Sequence, residues 1–290
     1  MKHIDDLVEI LDLERIEHDI FRGRSPQDGR QRVFGGLVIA QALVAAARTV
    51  PDRPPHSLHA YFVLGGDERV PIVYEVARIR DGKSFTTRNC IAIQHGRPIF
   101  SLSASFQAVE PGLDHGMTMP VVKGPGELPD IDDVKRQYGS RLPAPIHDWF
   151  KNKLLIDVRP VDLTRYLDGG ANASREPFQY IWFRAAGRLP DDPALHRAVL
   201  AYMSDMSLLD TALVAHGRWI FEDEIQAASL DHALWFHRDF RADEWLLYAQ
   251  DSPSMSGARG LTRGLIYSQD GRLVASVAQE GLLRQVKPKS

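Results

Sequence analysis

Few of the side chains able to do chemistry keep that prospect once each is read in its surroundings. The single cysteine, Cys90, sits in the strand-like run Arg88-Asn89-Cys90-Ile91-Ala92-Ile93. A reactive thiol needs an electropositive, partly exposed setting, so Cys90 reads as a small core residue. A serine nucleophile on a strand-to-helix elbow needs Gly-x-Ser-x-Gly. The nearest string, Ser254-Met255-Ser256-Gly257, lacks the first glycine and falls between expected strands. Eleven histidines raise the question of a metal. His232 and His237 are five apart on one expected strand and so point to opposite faces. His56 and His59 have the same problem, and no His-Glu-x-x-His string occurs. These histidines read as satisfied strand or loop residues. Gly35-Gly36, Arg259-Gly260 and Gly264 match no phosphate-loop or dinucleotide fingerprint. Neither a metal nor a cofactor is expected.

What remains is three polar residues where the pattern expects apolar ones. Asp205 follows Tyr202-Met203-Ser204 at the end of an apolar helix. Ser229 follows Ala227-Ala228 in a strand otherwise fit for a core, and Gln279 ends Leu273-Val274-Ala275-Ser276-Val277-Ala278. Buried polar groups are costly unless paired, so three in one half of the chain suggest a shared network. Equally, Asp205 could cap the next helical turn while Ser229 and Gln279 face solvent. The pattern alone leaves both readings open.

Any such network needs a frame. The 290 residues suit one large domain or two medium ones, and the 44% apolar content can build a sizeable core. A net charge of −3 offers no basic excess for nucleic acid or an anionic membrane. One cysteine excludes an intramolecular disulfide. No apolar h-region follows Met1, and no run reaches the ~18 apolar residues of a spanning helix. A soluble, cytoplasmic protein without nucleic-acid or membrane partners is expected.

An amphipathic helix is expected near residues 4–16. The alanine-rich segment 33–47 is apolar almost all round and so must be wrapped by something else. Strands are expected at 57–64, 72–80, 84–94 and 98–107, with Asp81-Gly82 and His95-Gly96 as hairpin turns. Residues 110–145 are rich in Pro, Gly and Asp and read as a crossing linker, with one short helix expected over 146–155. The second half repeats the plan. Asp191-Asp192-Pro193 starts a helix that runs through Met203. Strands follow at 227–237, 244–251, 260–268 and 273–280, with a turn at Asp270-Gly271. Ser57-Leu58 aligns with Ser229-Leu230, and Gly96-Arg97-Pro98-Ile99-Phe100-Ser101 with Gly271-Arg272-Leu273-Val274-Ala275-Ser276.

A sheet curled around one helix, twice over, is an α+β double hot-dog. Its expected units are 1–110 and 155–290, with the active site in the second, joined by a linker at 111–154. Two such units can join edge to edge and hide their open strand edges. Their free faces suit a homodimer or homotetramer.

At these residues the sequence resembles the bacterial acyl-CoA thioesterase II family over essentially the whole chain. The matching strings include Val33-Phe34-Gly35-Gly36 with Gln41-Ala42-Leu43, Arg80-Asp81-Gly82-Lys83-Ser84-Phe85, and Ser204-Asp205. Others are Leu230-Asp231-His232-Ala233-Leu234-Trp235-Phe236-His237-Arg238 and Val274-Ala275-Ser276-Val277-Ala278-Gln279-Glu280-Gly281. The resemblance implies a double hot-dog enzyme hydrolysing fatty acyl-CoA to free fatty acid and CoA, with acyl-CoA as its substrate and no cofactor. In that family an Asp, a Thr or Ser, and a Gln of the second unit hold the hydrolytic water. Matched string by string, these fall on Asp205, Ser229 and Gln279. Ser229 stands where well-known members have Thr, which keeps the hydroxyl. Leu64-Gly65 replaces an Arg-Pro pair at the expected substrate mouth. The repeat places Ala104 opposite Gln279, so one active half per chain is expected. Two rival functions fit the same fold. An enoyl-CoA hydratase or dehydratase would need a catalytic His beside an acid, yet Asp231 and His232 lie on opposite strand faces. A non-catalytic acyl-CoA-binding protein would have no use for the polar trio.

Overall fold

Helix α2 (Gly35–Ala47) carries almost no polar face, and Leu37, Ile39, Ala40, Ala42, Ala45 and Ala46 are all buried. Such a helix is stable only when surrounded. In the computed structural model, which describes residues 1, 3–27, 32–142, 155–167 and 174–286, antiparallel strands curl around it. The first half supplies α1 (Ile4–Leu11), β1 (Glu14–Glu17), β2 (Ile20–Gly23), β3 (Pro55–Phe62), β4 (Ile72–Asp81), β5 (Phe85–Gln94) and β6 (Arg97–Gln107). After α3 (Ile131–Tyr138), the second half supplies β7 (Ile156–Pro160), β8 (Phe178–Ala185) and α4 (Pro193–Ser204). A 3-10 helix (Leu209–His216) then leads to β9 (Ile225–Ser229), β10 (Asp231–Phe236), β11 (Leu246–Ser256), β12 (Arg259–Ser268) and β13 (Leu273–Gln285).

All of these strands form one sheet in the order β1-β2-β4-β5-β6-β3-β10-β13-β12-β11-β8-β7, with β9 attached to β13. The first-half strands fill one end and the second-half strands the other. They meet at β3 and β10, paired antiparallel from Ser57↔Trp235 to Tyr61↔Asp231. Strand edges that would otherwise invite aggregation are thereby paired with each other. The two central helices, α2 and α4, lie against one another beneath this seam. One apolar core spans both, including Leu43 from the first half and Leu200 and Leu234 from the second. This is the double hot-dog arrangement expected from the sequence.

Several local expectations are corrected. The first helix ends at Leu11, and β1 and β2 follow as a hairpin that the sequence did not announce. All four β1 residues are exposed, so no apolar alternation marks the strand. Asp19, at φ 59°, makes the turn and binds Arg78 at 2.7 and 2.9 Å. Strands β7 and β8 were likewise not expected. Within the expected linker, α3 forms on a cap that was there to be read: Asp130 accepts from the N–H groups of Asp132 and Asp133. The strand expected over 227–237 is broken at Leu230, whose N–H bonds Glu280 O while its own carbonyl accepts from Phe62 N–H. β11 runs beyond 251 through Pro253, with its register to β12 shifting between Asp251 and Ser254. The short helix expected over 146–155 lies outside the described residues apart from Leu155. Residues 193–216 are apolar enough in length and composition to cross a membrane, but most of that stretch is buried inside this fold.

Because the core runs under the seam, damage there should be felt by both halves. Leu234, fully buried on β10 opposite Leu58, is the place to probe it. Leu234→Ala should destabilise the chain by about 2–5 kcal/mol. Thermal unfolding followed by circular dichroism should show a single transition moved downward. Early melting of one half alone would contradict a shared core.

Candidate active site

Helix α4 begins on Asp192, which accepts from Ala194 N–H, with Pro193 in the first turn. It ends at Ser204, and Asp205 takes the C-cap place. A carboxylate there faces the negative end of the helix dipole, so donors must come from elsewhere. Gln279, almost wholly buried on β13, donates from Nε2 to Asp205 Oδ1 at 2.9 Å and to Ser229 Oγ at 2.7 Å. The Ser229 hydroxyl and the Gly36 backbone N–H lie close enough to favour the charged form of Asp205. The last of these comes from the first turn of α2, so the positive end of the first half's helix faces the acid of the second.

That approach needs the bare backbone of Gly35-Gly36. A Cβ on Gly35 would lie 2.7 Å from Asp205 Oδ2 and 2.9 Å from Phe62 Cε1. One on Gly36 would lie 2.4 Å from Tyr202 O. The glycine pair flagged as lacking a phosphate-loop pattern is thus a close-packing point against the carboxylate.

Burial pushes the Asp205 carboxyl up to about 6, against the pull of Gln279, Gly36 and Ser229. Asp205 nevertheless keeps some accessible surface. A cleft lined by Arg32, Val33, Phe34, Leu37, Glu68 and Tyr202 lies beside the same end of α2. Gly65 packs against Arg32 in its wall, where a Cβ would lie 2.9 Å from Arg32 Cδ.

All three polar residues flagged from the sequence come together. Asp205 does occupy a cap position, but Gln279 points inward and Ser229, at the end of β9, is only partly exposed. Sequence reasoning missed the residues behind them. On β10 the burial alternates, with His232, Leu234 and Phe236 facing inward. His232 Nδ1 lies 3.3 Å from Gln279 Oε1 and its Nε2 2.9 Å from Ser204 Oγ. Burial lowers the His232 pKa to about 4, so the ring is neutral. Its inward parity with two apolar residues was the available signal. Asp231 points the other way and accepts from Glu280 N–H at 2.7 Å. Cys90 is buried, which raises its thiol pKa far from any reactive range.

At the matching place in the first half, Ala104 pairs with Leu58 and Arg88. Arg88 is buried and donates to Thr49 Oγ1 at 2.8 Å and to Asp81 Oδ1 at 2.6 Å. No counterpart of the acid, hydroxyl and amide set stands among these residues.

The family described as acyl-CoA thioesterase matches residues 146–282, and that described as acyl-CoA thioesterase N-terminal domain matches residues 24–107. The chain is 40% identical over 283 residues to acyl-CoA thioesterase 2 of Haemophilus influenzae, covering 97% of this chain and 98% of that protein. It superposes on the crystal structure of an acyl-CoA thioesterase II, TesB2, from Mycobacterium marinum with a TM-score of 0.79 and 46% identity, over 96% of this chain and 98% of that one. A hot-dog protein of unknown function from Alicyclobacillus acidocaldarius, 20% identical, shares the fold with a TM-score of 0.77 over 99% of this chain and 100% of its own. With its fold and its full-length relatives in agreement, the chain belongs to the acyl-CoA thioesterase II family of thioester hydrolases.

Proposed function

We propose that this chain hydrolyses fatty acyl-CoA to free fatty acid and CoA by direct attack of one water, held by Asp205, Ser229 and Gln279. One observation carries the reading: a partly accessible carboxylate whose pKa is raised to about 6, bonded by an amide that also bonds a neighbouring hydroxyl. A thioester carbonyl is electrophilic, and its thiolate leaves with a conjugate-acid pKa near ~8.5 by analogy with cysteine. The enzyme must fix a water, take its proton and stabilise the oxyanion. An acid near pH 6 accepts a proton far better than one at an ordinary ~3.9, yet is ionised at neutral pH.

In the proposed step the water oxygen bonds to the carbonyl carbon while Asp205 takes its proton. The tetrahedral intermediate then collapses, the C–S bond breaks, and the proton passes from Asp205 to the departing CoA sulfur. Both amide hydrogens of Gln279 are engaged, so its part is to hold Asp205 and Ser229 together as the pair against which the water sits. The N-terminal turn of α2 supplies partial positive charge for the oxyanion. The hydratase alternative would need a histidine that reaches substrate, and both ring nitrogens of His232 are already engaged. The matched family ranges support the proposed units 1–110 and 155–290 with a connector at 111–154, and the absence of the polar set around Ala104 supports one active half. Exposed Tyr61 and Ile91 flank Ser101 in one row of the sheet, a surface that a second copy would cover in a homodimer or homotetramer.

Thiol release from a series of saturated acyl-CoAs tests the reading, with wild type beside Asp205→Asn. Wild type should turn over and the variant should lose about 10³-fold in kcat. Binding without release at any chain length would point to a carrier instead. Because Asp205 works as the anion, kcat should rise with pH through about 6 and then level. A flat profile from pH 5 to 8 with chemistry rate-limiting would remove Asp205 as the base. The same raised pKa makes the folded state bind a proton more tightly than the unfolded chain, so the ionised carboxylate costs stability above pH 6. Asp205→Asn should therefore be more stable at pH 7.5 by about 1–3 kcal/mol, with the gain shrinking as pH falls from 6 toward 4. Gly35→Ala, whose methyl would strike Asp205 Oδ2, should lower kcat at least about tenfold. Normal turnover by that variant would show that α2 does not position the acid.

A further inference from the structure

An amide has two ends of opposite character, and Gln279 serves the site only one way round. With its NH2 toward Asp205 and Ser229, both contacts are donor to acceptor. Turned over, its carbonyl oxygen would meet the Asp205 carboxylate with no hydrogen between them. The charge on Asp205 thus favours the working orientation, but only while it is there. Once Asp205 has taken a proton from water, it can donate to the carbonyl of an inverted amide. Such an inversion would leave the acid hydrogen-bonded to Gln279 instead of free to return its proton. The site needs a lock that does not depend on the Asp205 charge.

The residues behind Gln279 provide one. Its Oε1, an acceptor, lies 3.3 Å from His232 Nδ1, so that nitrogen must carry the ring hydrogen. His232 Nε2 then bears the lone pair and accepts from the Ser204 hydroxyl, 2.9 Å away. The Ser204 hydroxyl is equally placed to donate to Ala201 O at 3.0 Å, so its one hydrogen is shared between two acceptors and it is Gln279 Oε1 that calls for the hydrogen on Nδ1. The Ser204 carbonyl is itself fixed by the Tyr248 hydroxyl at 3.0 Å, and the Gln279 main-chain carbonyl by Thr262 Oγ1 at 3.0 Å. His232, Ser204 and Thr262 have no accessible surface. An inverted amide would set its N–H against the N–H of His232 in a place that water does not reach.

We propose that His232 is a positioning residue for the thioesterase reaction: its Nδ1–H, facing Gln279 Oε1 in a place closed to water, keeps the Gln279 amide turned toward Asp205 and Ser229 throughout the cycle. This rests on the reading of Asp205 as the base, and the two fail separately. The histidine touches no substrate, so its loss should fall on kcat and leave KM alone. Asparagine places an amide N–H close to the position of Nδ1 and serves as the conservative replacement, whereas leucine fills the space without a donor.

The experiment measures thiol release from a saturated acyl-CoA by the full chain, alongside nitrogen chemical shifts of 15N-histidine-labelled enzyme. His232→Leu should lower kcat by about 30–100-fold with KM within about twofold, and His232→Asn should recover most of that loss. Ser204→Ala, which removes the hydroxyl beside Nε2, should lower kcat by about 3–10-fold. In wild type, the His232 signals, identified by their loss in His232→Asn or their shift in Ser204→Ala, should be those of a neutral ring protonated on Nδ1. An Nε2-protonated ring would overturn the proposal even if the leucine variant failed to fold. So would a leucine variant with normal kcat, or an asparagine variant no better than leucine, in an enzyme that Asp205→Asn inactivates. Full activity of Asp205→Asn would instead overturn the base assignment.

Discussion

An anion at the C-terminal end of a helix is the constraint on which the rest of this structure turns. Asp205 closes α4 where the helix's own carbonyls are left over, so nothing local favours its charge. Its support arrives from three other elements: Gln279 from β13, Ser229 from the end of β9, and Gly36 from the first turn of α2. The last contact ties the site to the whole fold. The N-terminal end of α2 reaches Asp205 only because α2 and α4 lie against one another with the start of one beside the end of the other, because two glycines omit their side chains, and because β3 and β10 join the halves into one sheet. The first half is therefore more than a scaffold for the second.

Burial acts on this cluster twice, in opposite directions. It raises the Asp205 pKa to about 6 and lowers that of His232 to about 4. Both shifts disfavour the charged form, as desolvation must. Between them, above pH 6, the cluster holds a single negative charge, and every other member is a neutral dipole that can be turned toward it. A second charge would either neutralise the acid in an ion pair or force it out of its base range. A neutral amide, hydroxyl and imidazole orient the carboxylate without capturing it.

Much of this was legible in the sequence, for definable reasons. Helices α2 and α4 were announced by apolar runs with a proline or an acidic cap at their ends, and the hairpins by turn pairs such as His95-Gly96, both of which adopt positive φ. Asp205, Ser229 and Gln279 stood out because polar residues interrupt otherwise apolar patterns. The hairpin β1–β2 was invisible because Glu14, Arg15, Ile16 and Glu17 are all exposed, so burial imposes no alternation on them. The break at Leu230 was hidden because both flanking strands pair with β13 and read as one run. His232 was passed over for a different reason. Eleven histidines look alike in a sequence, and only the register of β10 reveals which of them points into the core.

The two halves face the same physical problem at the ends of their central helices and answer it oppositely. Beyond the C-terminus of α2, the first half places a cation: Arg88 donates to Thr49 Oγ1 at 2.8 Å and reaches Thr49 O at 3.4 Å, with Asp81 as its counterion. That is the arrangement a helix dipole favours, and Arg88 is fully engaged by it. The second half places an anion beyond α4 and keeps part of it accessible. Judged by stability alone the first solution is better, since it pairs a buried charge and aligns it with the dipole. The second makes sense only where a carboxylate of raised proton affinity is wanted for its own sake. On the proposed reading, chemistry belongs to the half whose helix end is electrostatically the worse arranged.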